Sequence, residues 1–184
     1  KDELARPHAR ADPPFMSALV KAIAAMATGL FAANAAEPLA IGAKLPQVSQ
    51  KNQEGITIAL AEHGASGWLL VYFYPKADTP GCTKQACSLR DAFAILTEKG
   101  VKVFGVSTDS PKSQKAFKEK YRLPFDLLAD EDSTIVKAFG VPTTMGFAKR
   151  QAFLFKDGAL VWVDFSASTE QQAADVLKAI ETNN

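Results

Sequence analysis

From Trp68 to Tyr74 the chain is unbroken apolar and aromatic (WLLVYFY), set off by the Gly64-Ala65-Ser66-Gly67 turn. That pattern predicts a central strand buried on both faces. The rhythm then changes: Cys82, Ala86, Leu89, Phe93 and Leu96 recur at alternating intervals of four and three. This spacing predicts a helix from about Cys82 to Glu98 with one inward stripe. Val101 to Val106 (VKVFGV) reads as the next strand, and Ser110-Pro111 supplies an N-cap and first position for a helix running to about Tyr121. Phe125 to Leu128 suits a short strand, and Ser133 to Phe139 a short helix stopped by Gly140 and Pro142. Gln151 to Phe155 and Leu160 to Phe165 flank Lys156-Asp157-Gly158 as a hairpin. A capping box, Ser168-x-x-Gln171, predicts a last helix reaching about Thr182.

Strands and helices in this order imply an α/β fold, a mixed central sheet flanked by helices. No internal repeat, low-complexity tract or domain linker follows Ala36. With 47% hydrophobic and 22% charged residues, the chain has the profile of one globular domain. A domain of this size buries enough surface to need neither disulfide staples nor a structural metal. A net charge of +1, with no polybasic run, argues against nucleic-acid binding. His8 and His63 lie far in sequence from Cys82 and Cys87, so a four-ligand zinc site is not expected.

The segment before the domain reads as an address. Met16 to Ala35 carries Lys21, an apolar stretch from Ala22 to Ala33, and a small-x-small pattern ending at Ala35. Such a stretch is too short to span a membrane and has the grammar of a cleaved secretory signal, so no stable membrane association is expected. The alternative is an alanine-rich helix that packs on the domain or frays. Residues 1–15 read as an upstream remnant or over-extended reading frame, which leaves 36–184 as the expected single domain. The leader holds four of the 21 basic and three of the 20 acidic side chains, so that domain is formally neutral. A working signal implies export, to the periplasm in a bacterium; without one, a cytoplasmic location is expected.

Candidate chemistry concentrates at PKADTPGCTKQAC, immediately after the buried strand. Pro75 ends strand pairing, Thr79-Pro80-Gly81 turns the chain, and Cys82 falls at the opening of a helix, where free N–H groups and the positive dipole end favour thiolate over thiol. Cys87 is five positions on. A regular helix turns it about 140° away and leaves the Cα atoms roughly 8.6 Å apart, beyond the ~7 Å reach of a disulfide. Pairing the two sulfurs therefore requires the first helical turns to unwind.

Pro75-x-x-x-Thr79-x-x-Cys82 resembles the active-site signature of peroxiredoxins, and the Cys82/Cys87 spacing resembles the peroxiredoxin Q, or bacterioferritin-comigratory-protein, branch. The likeness runs over about residues 42 to 182, through YFYPKADTPGCT, ACSLRD, VFGVSTDSP and RQAFLF. It implies a thioredoxin-like fold with peroxiredoxin additions, and a thiol-dependent peroxidase acting on hydrogen peroxide and organic hydroperoxides without metal, haem or flavin. By the same resemblance Cys82 is the peroxidatic cysteine and Cys87 resolves it through an intramolecular disulfide. Thr79 bonds the peroxide, Pro75 shields the sulfur, Arg150 falls on the family's active-site arginine, and a thioredoxin-like or other dithiol resets the pair. Members of the branch are often monomeric, and a dimer is the alternative.

Two departures stand out: Gln85 sits where other branches carry a glutamate that orients the arginine, and Leu45-Pro46-Gln47-Val48 only loosely matches the family's amino-terminal Ala-Pro-x-Phe. Arg90, about 12 Å along the helix from Cys82, is too remote to serve in place of Arg150. Lys76 and Lys84 flank the turn without a chemical role. The competing functions are a thiol-disulfide oxidoreductase, which would normally carry Cys-x-x-Cys, and a peroxide-sensing redox relay.

Overall fold

The computed structural model describes residues 37–183. The expected address segment Met16–Ala35, the residues before it, and the domain limits at 36 and 184 lie outside the described residues. An antiparallel ribbon, β1 (Ser49–Lys51) and β2 (Thr57–Ala59), leads into the short helix α1 (Leu60–Gly64). Then come β3 (Trp68–Phe73), α2 (Pro80–Asp91), α3 (Phe93–Glu98), β4 (Val101–Ser107), α4 (Pro111–Tyr121), β5 (Asp126–Ala129) and α5 (Thr134–Ala138). A two-residue ribbon, β6 (Thr143–Thr144) with β7 (Phe147–Ala148), precedes the hairpin β8 (Gln151–Lys156) and β9 (Ala159–Asp164), and α6 (Gln172–Thr182) follows.

The main sheet has five strands in the order β5-β4-β3-β8-β9. β4 runs parallel to both β3 and β5, whereas β8 is antiparallel to β3 and β9. Every residue of β3 is buried, because alternate side chains enter two separate cores. Trp68, Leu70 and Tyr72, with Tyr74 beyond the strand end, pack with Cys82, Ala86 and Leu89 of α2, Phe117 of α4 and Val176 of α6. Leu69, Val71 and Phe73 face Leu60 of α1, Ile135 and Val136 of α5, and Phe139. Burying one such side chain contributes roughly 1.5–3 kcal/mol, so the strand is held from both sides. The run of apolar residues with no polar alternation is thus explained by helices on both faces.

Local punctuation accounts for most of the boundaries. Ser110 caps α4, its Oγ accepting from Ser113 N–H at 3.4 Å, and the β8–β9 turn places Asp157 and Gly158 at φ 50° and 78°, the paired positive values of a tight hairpin turn. Two expectations need correction. The helix expected over Cys82–Glu98 is two helices, interrupted at Ala92, whose ψ of 3° leaves the helical region. The stripe survives the interruption, since Cys82, Ala86, Leu89 and Leu96 are buried and Phe93 packs against the same core. The capping box does not open the last helix. Ser168 Oγ accepts from the Glu170 and Gln171 N–H groups in the preceding turn, and α6 starts only at Gln172. Among the described residues no helix is long and apolar enough to cross a membrane.

Candidate active site

β3 delivers the site. Tyr74 still donates its N–H to Val106 at 3.1 Å, after which Pro75, with no N–H to give, ends the pairing. The loop that follows is fixed by its neighbours. Ala77 N–H donates to Asp109 Oδ2 at 2.8 Å, and Ser107 Oγ donates to the same oxygen at 2.8 Å. Gln114 donates to Ser107 Oγ at 2.8 Å and to Leu128 C=O at 3.1 Å, and it accepts from the Tyr74 hydroxyl. Asp78, at φ 58°, accepts from Lys120 Nζ at 2.8 Å and from the Tyr121 hydroxyl at 2.6 Å. Those bonds hold its carboxyl below the usual carboxylate range.

Thr79 is the N-cap of α2 by backbone, but its side chain does not cap; the hydroxyl donates instead to Lys76 C=O at 2.9 Å. Pro80 occupies the first helical position, and the Thr83 N–H bonds Thr79 C=O at 2.8 Å. The preceding N–H groups of Gly81 and Cys82 therefore face the helix end without helical partners. Cys82 itself is 2% exposed. Cys87, half-buried, lies farther along α2, and both cysteines are free thiols.

Arg150, one residue before β8, reaches across to α2. Its Nη2 lies 3.4 Å from Cys82 Sγ, and its Nη1 donates to Gln85 Oε1. Gly81 lets it through: a Cβ there would stand 3.2 Å from Nη2. Gln85, noted in the sequence as a departure, is fully buried, and its amide oxygen takes the guanidinium. Beneath the pair, Tyr72 presents a buried hydroxyl with no hydrogen-bond partner. Burial, together with the nearby Tyr74 and Cys82, pushes its phenol well above the ordinary value, so it stays protonated.

The structure brings together Pro75, Thr79, Cys82 and Arg150 at one end of β3 and keeps Cys87 on the helix that carries Cys82. Arg90 is turned away, donating to Asp91 and to Tyr121 C=O. Sequence reasoning missed Asp109, although its position just past the carboxyl end of β4, beside the loop after β3, is the usual place for site residues in α/β sheets. It also missed Gln172, which accepts from Gln85 Nε2 at 2.8 Å. Residues so far apart in the chain give no local signal.

A sheet of this order, with a cysteine on the first turn of the helix that follows its central strand, defines the class as a thioredoxin-fold protein with a cysteine-centred site. Solved structures share that architecture. "Peroxidoxin BcpB" from Mycobacterium tuberculosis is 30% identical and superposes with a TM-score of 0.72 over 78% of this chain and 97% of its own. A cysteine-to-serine variant of Xanthomonas campestris peroxiredoxin Q is 29% identical, with a TM-score of 0.72 over 78% of this chain and 99% of that one. The chain belongs to the AhpC/TSA family, whose model matches residues 41–163. Among curated relatives, chloroplastic peroxiredoxin Q of Populus jackii is 47% identical over 100 residues, which is 54% of this chain and 46% of the relative. A putative peroxiredoxin bcp of Coxiella burnetii is 45% identical over 101 residues, 55% and 66% of the two chains. The chain spans about half the length of the first curated relatives it matches.

Proposed function

We propose that this protein is a thiol-dependent peroxidase that reduces hydrogen peroxide and small organic hydroperoxides. The observation that carries the reading is a buried cysteine sulfur on the first turn of α2 with a guanidinium nitrogen 3.4 Å away. The Cys82 thiolate attacks the terminal oxygen of the hydroperoxide; the S–O bond forms as the O–O bond breaks, and the departing alkoxide or hydroxide takes a proton. Arg150 and the Cys82 N–H stabilise the charge moving onto the oxygens, and Pro75 keeps water from the sulfur. The Thr79 proton is committed to the Lys76 carbonyl, so its oxygen accepts the hydrogen of the incoming hydroperoxide and orients it.

Ionisation is the smaller part of the rate. A free cysteine with pKa about 8.5 is roughly 3% thiolate at neutral pH, so complete ionisation gains at most about 30-fold. The rest comes from holding the peroxide in line and stabilising charge at the breaking bond. Cys87 then attacks the Cys82 sulfenic acid, forming the disulfide and releasing water, and an external thioredoxin-like or other dithiol reduces it. Because a large disulfide substrate cannot reach a cysteine only 2% exposed, burial favours this reading over a dedicated disulfide exchanger.

The test is hydroperoxide loss by purified protein with a generic dithiol. Steady consumption that Cys82→Ser abolishes is expected, whereas undiminished loss in that variant overturns the assignment, and disulfide reduction without peroxide loss favours the exchanger. The same preparation, secreted against intracellular, gives an intact mass that tests whether Met16–Ala35 is a removed export signal.

A further inference from the structure

The guanidinium that meets the cysteine is oriented by an amide, and an amide has two unlike ends. Gln85 can offer Arg150 either its oxygen, which accepts, or its NH₂, which would set donor against donor. A carboxylate in that place has no such ambiguity. Gln85 is fully buried, so water does not correct a wrong orientation.

Arg150, which can only donate, favours the oxygen, and an acceptor for the buried NH₂ is what holds the amide in that orientation. Gln85 Nε2 donates to Gln172 Oε1 at 2.8 Å, and Gln172, at the first position of α6, is itself fully buried. Only the acceptor half of Gln172 is used, because its Nε2 has no partner. Neighbouring contacts keep it in place: Lys84 pairs with Glu170 at 2.6 Å, and the Ala173 N–H donates to Ser88 Oγ at 3.2 Å. The relay runs from α6 to α2 to the start of β8, from Gln172 oxygen to Gln85 amide to Arg150 to Cys82 sulfur.

We propose that Gln172 is a positioning residue for the peroxidase site: its carbonyl oxygen sets the polarity of the Gln85 amide, and through it the alignment of Arg150 on Cys82. This rests on the peroxidase reading above. Gln172 touches neither sulfur nor substrate, and its influence is the handedness of one buried hydrogen-bond chain.

The handedness makes a prediction that a merely structural role does not. Gln172→Met keeps the side-chain length but removes the acceptor, and should slow oxidation of Cys82 by hydrogen peroxide about 10-fold, the scale of a misaligned charge-stabilising donor. The rate is read by rapid quench with thiol alkylation and mass analysis. Gln172→Glu keeps an acceptor oxygen and should stay within about 3-fold of the parent. In a Gln85→Glu background either oxygen can face Arg150, so adding Gln172→Met should change the rate less than about 2-fold relative to Gln85→Glu alone.

Equal losses in both backgrounds overturn the proposal, as does a Gln172→Glu protein as slow as Gln172→Met. Should Gln172→Met fail to fold, the assigned side-chain amide resonances of the unsubstituted protein decide. A Gln85 Nε2 proton shifted downfield by a hydrogen bond beside Gln172 Nε2 protons that are not supports it, and the reverse overturns it. Failure of the peroxidase reading itself is separately visible, as peroxide oxidation that persists at the same rate in Cys82→Ser.

Discussion

With Cys82 only 2% exposed and a guanidinium 3.4 Å from its sulfur, the proposed mechanism divides the labour of the site unequally, and substitutions should expose the division. Arg150→Met removes charge while keeping length, and is expected to lower the rate of Cys82 oxidation by about 10²-fold or more, the typical cost of one charge-stabilising donor. Thr79→Val should also cripple turnover, because in the proposed mechanism its hydroxyl, donating to the Lys76 carbonyl, orients the hydroperoxide. Thr79→Val should leave the melting temperature nearly unchanged, whereas Arg150→Met, which leaves the buried Gln85 oxygen unpartnered, should cost about 1–3 kcal/mol; a larger loss would reassign the effect to folding. At this scale the sequence was informative wherever chemistry was local. Pro75, Thr79 and Cys82 sit within eight consecutive positions; the helix start was read two residues late, at Cys82, because Pro80 and Gly81, here the first residues of α2, read as a turn. The partnership of Gln85 with Gln172 was not, because residues 87 positions apart meet only after α6 packs on α2.

Helices and strands carry the next level of constraint. β4 runs beside β3 with Gly105 opposite Tyr72, where a Cβ would come within 2.7 Å of the Tyr72 ring and 2.8 Å of Leu127. Gly105→Ala should destabilise the fold by about 1–3 kcal/mol, as overpacking does, and because Tyr72 lies under α2, peroxide reactivity should fall with it. Urea unfolding checks the first and the quench assay the second. The helix α2 has its own expected event: joining Cys82 to Cys87 requires its first turns to open. Hydrogen exchange after one equivalent of peroxide should rise over residues 80–88 and stay low along β3, with a mass lower by two hydrogens. Unchanged protection over 80–88 would mean the disulfide does not form within the chain. Periodicity found α2, the Ser110-Pro111 cap found α4, and the Lys156-Asp157-Gly158 turn found the β8–β9 hairpin; the periodic stripe ran α2 into α3 because the interruption at Ala92 lies in the backbone and leaves the apolar stripe intact. The ribbons β1–β2 and β6–β7, of two or three residues a strand, are too short to leave a pattern.

Over the whole molecule, the ribbon β1–β2 is tied to the far edge of the sheet by several bonds, among them a cluster on one carboxylate. Asp126 opens β5 and accepts from Gln53 at 2.8 Å, Lys118 at 3.0 Å and Asn52 at 3.3 Å. Partial burial pushes its pKa up, but these donors outweigh it and hold the carboxyl below its ordinary value of 3.8. A group depressed in the folded state supplies stability that is full above its unfolded pKa and lost as pH falls through the folded value. Urea midpoints should therefore drop on acidification below about pH 4. Asp126→Asn should be less stable than the parent near neutrality, with the two curves converging at the acid end. Parallel curves through the acid limb would assign the loss to other carboxylates.

Both tryptophans stand away from the reacting end. Trp68 begins β3, under the Lys156 ammonium 4.9 Å above its ring, and Trp162 pairs with Leu154 in the β8–β9 hairpin. Six residues of strand, roughly 20 Å, separate Trp68 from Tyr74 at the other end. Indole emission, the customary optical handle on a protein of this size, should accordingly be nearly silent during turnover. An engineered reporter near the Lys76 loop would be needed to watch a single catalytic cycle in real time.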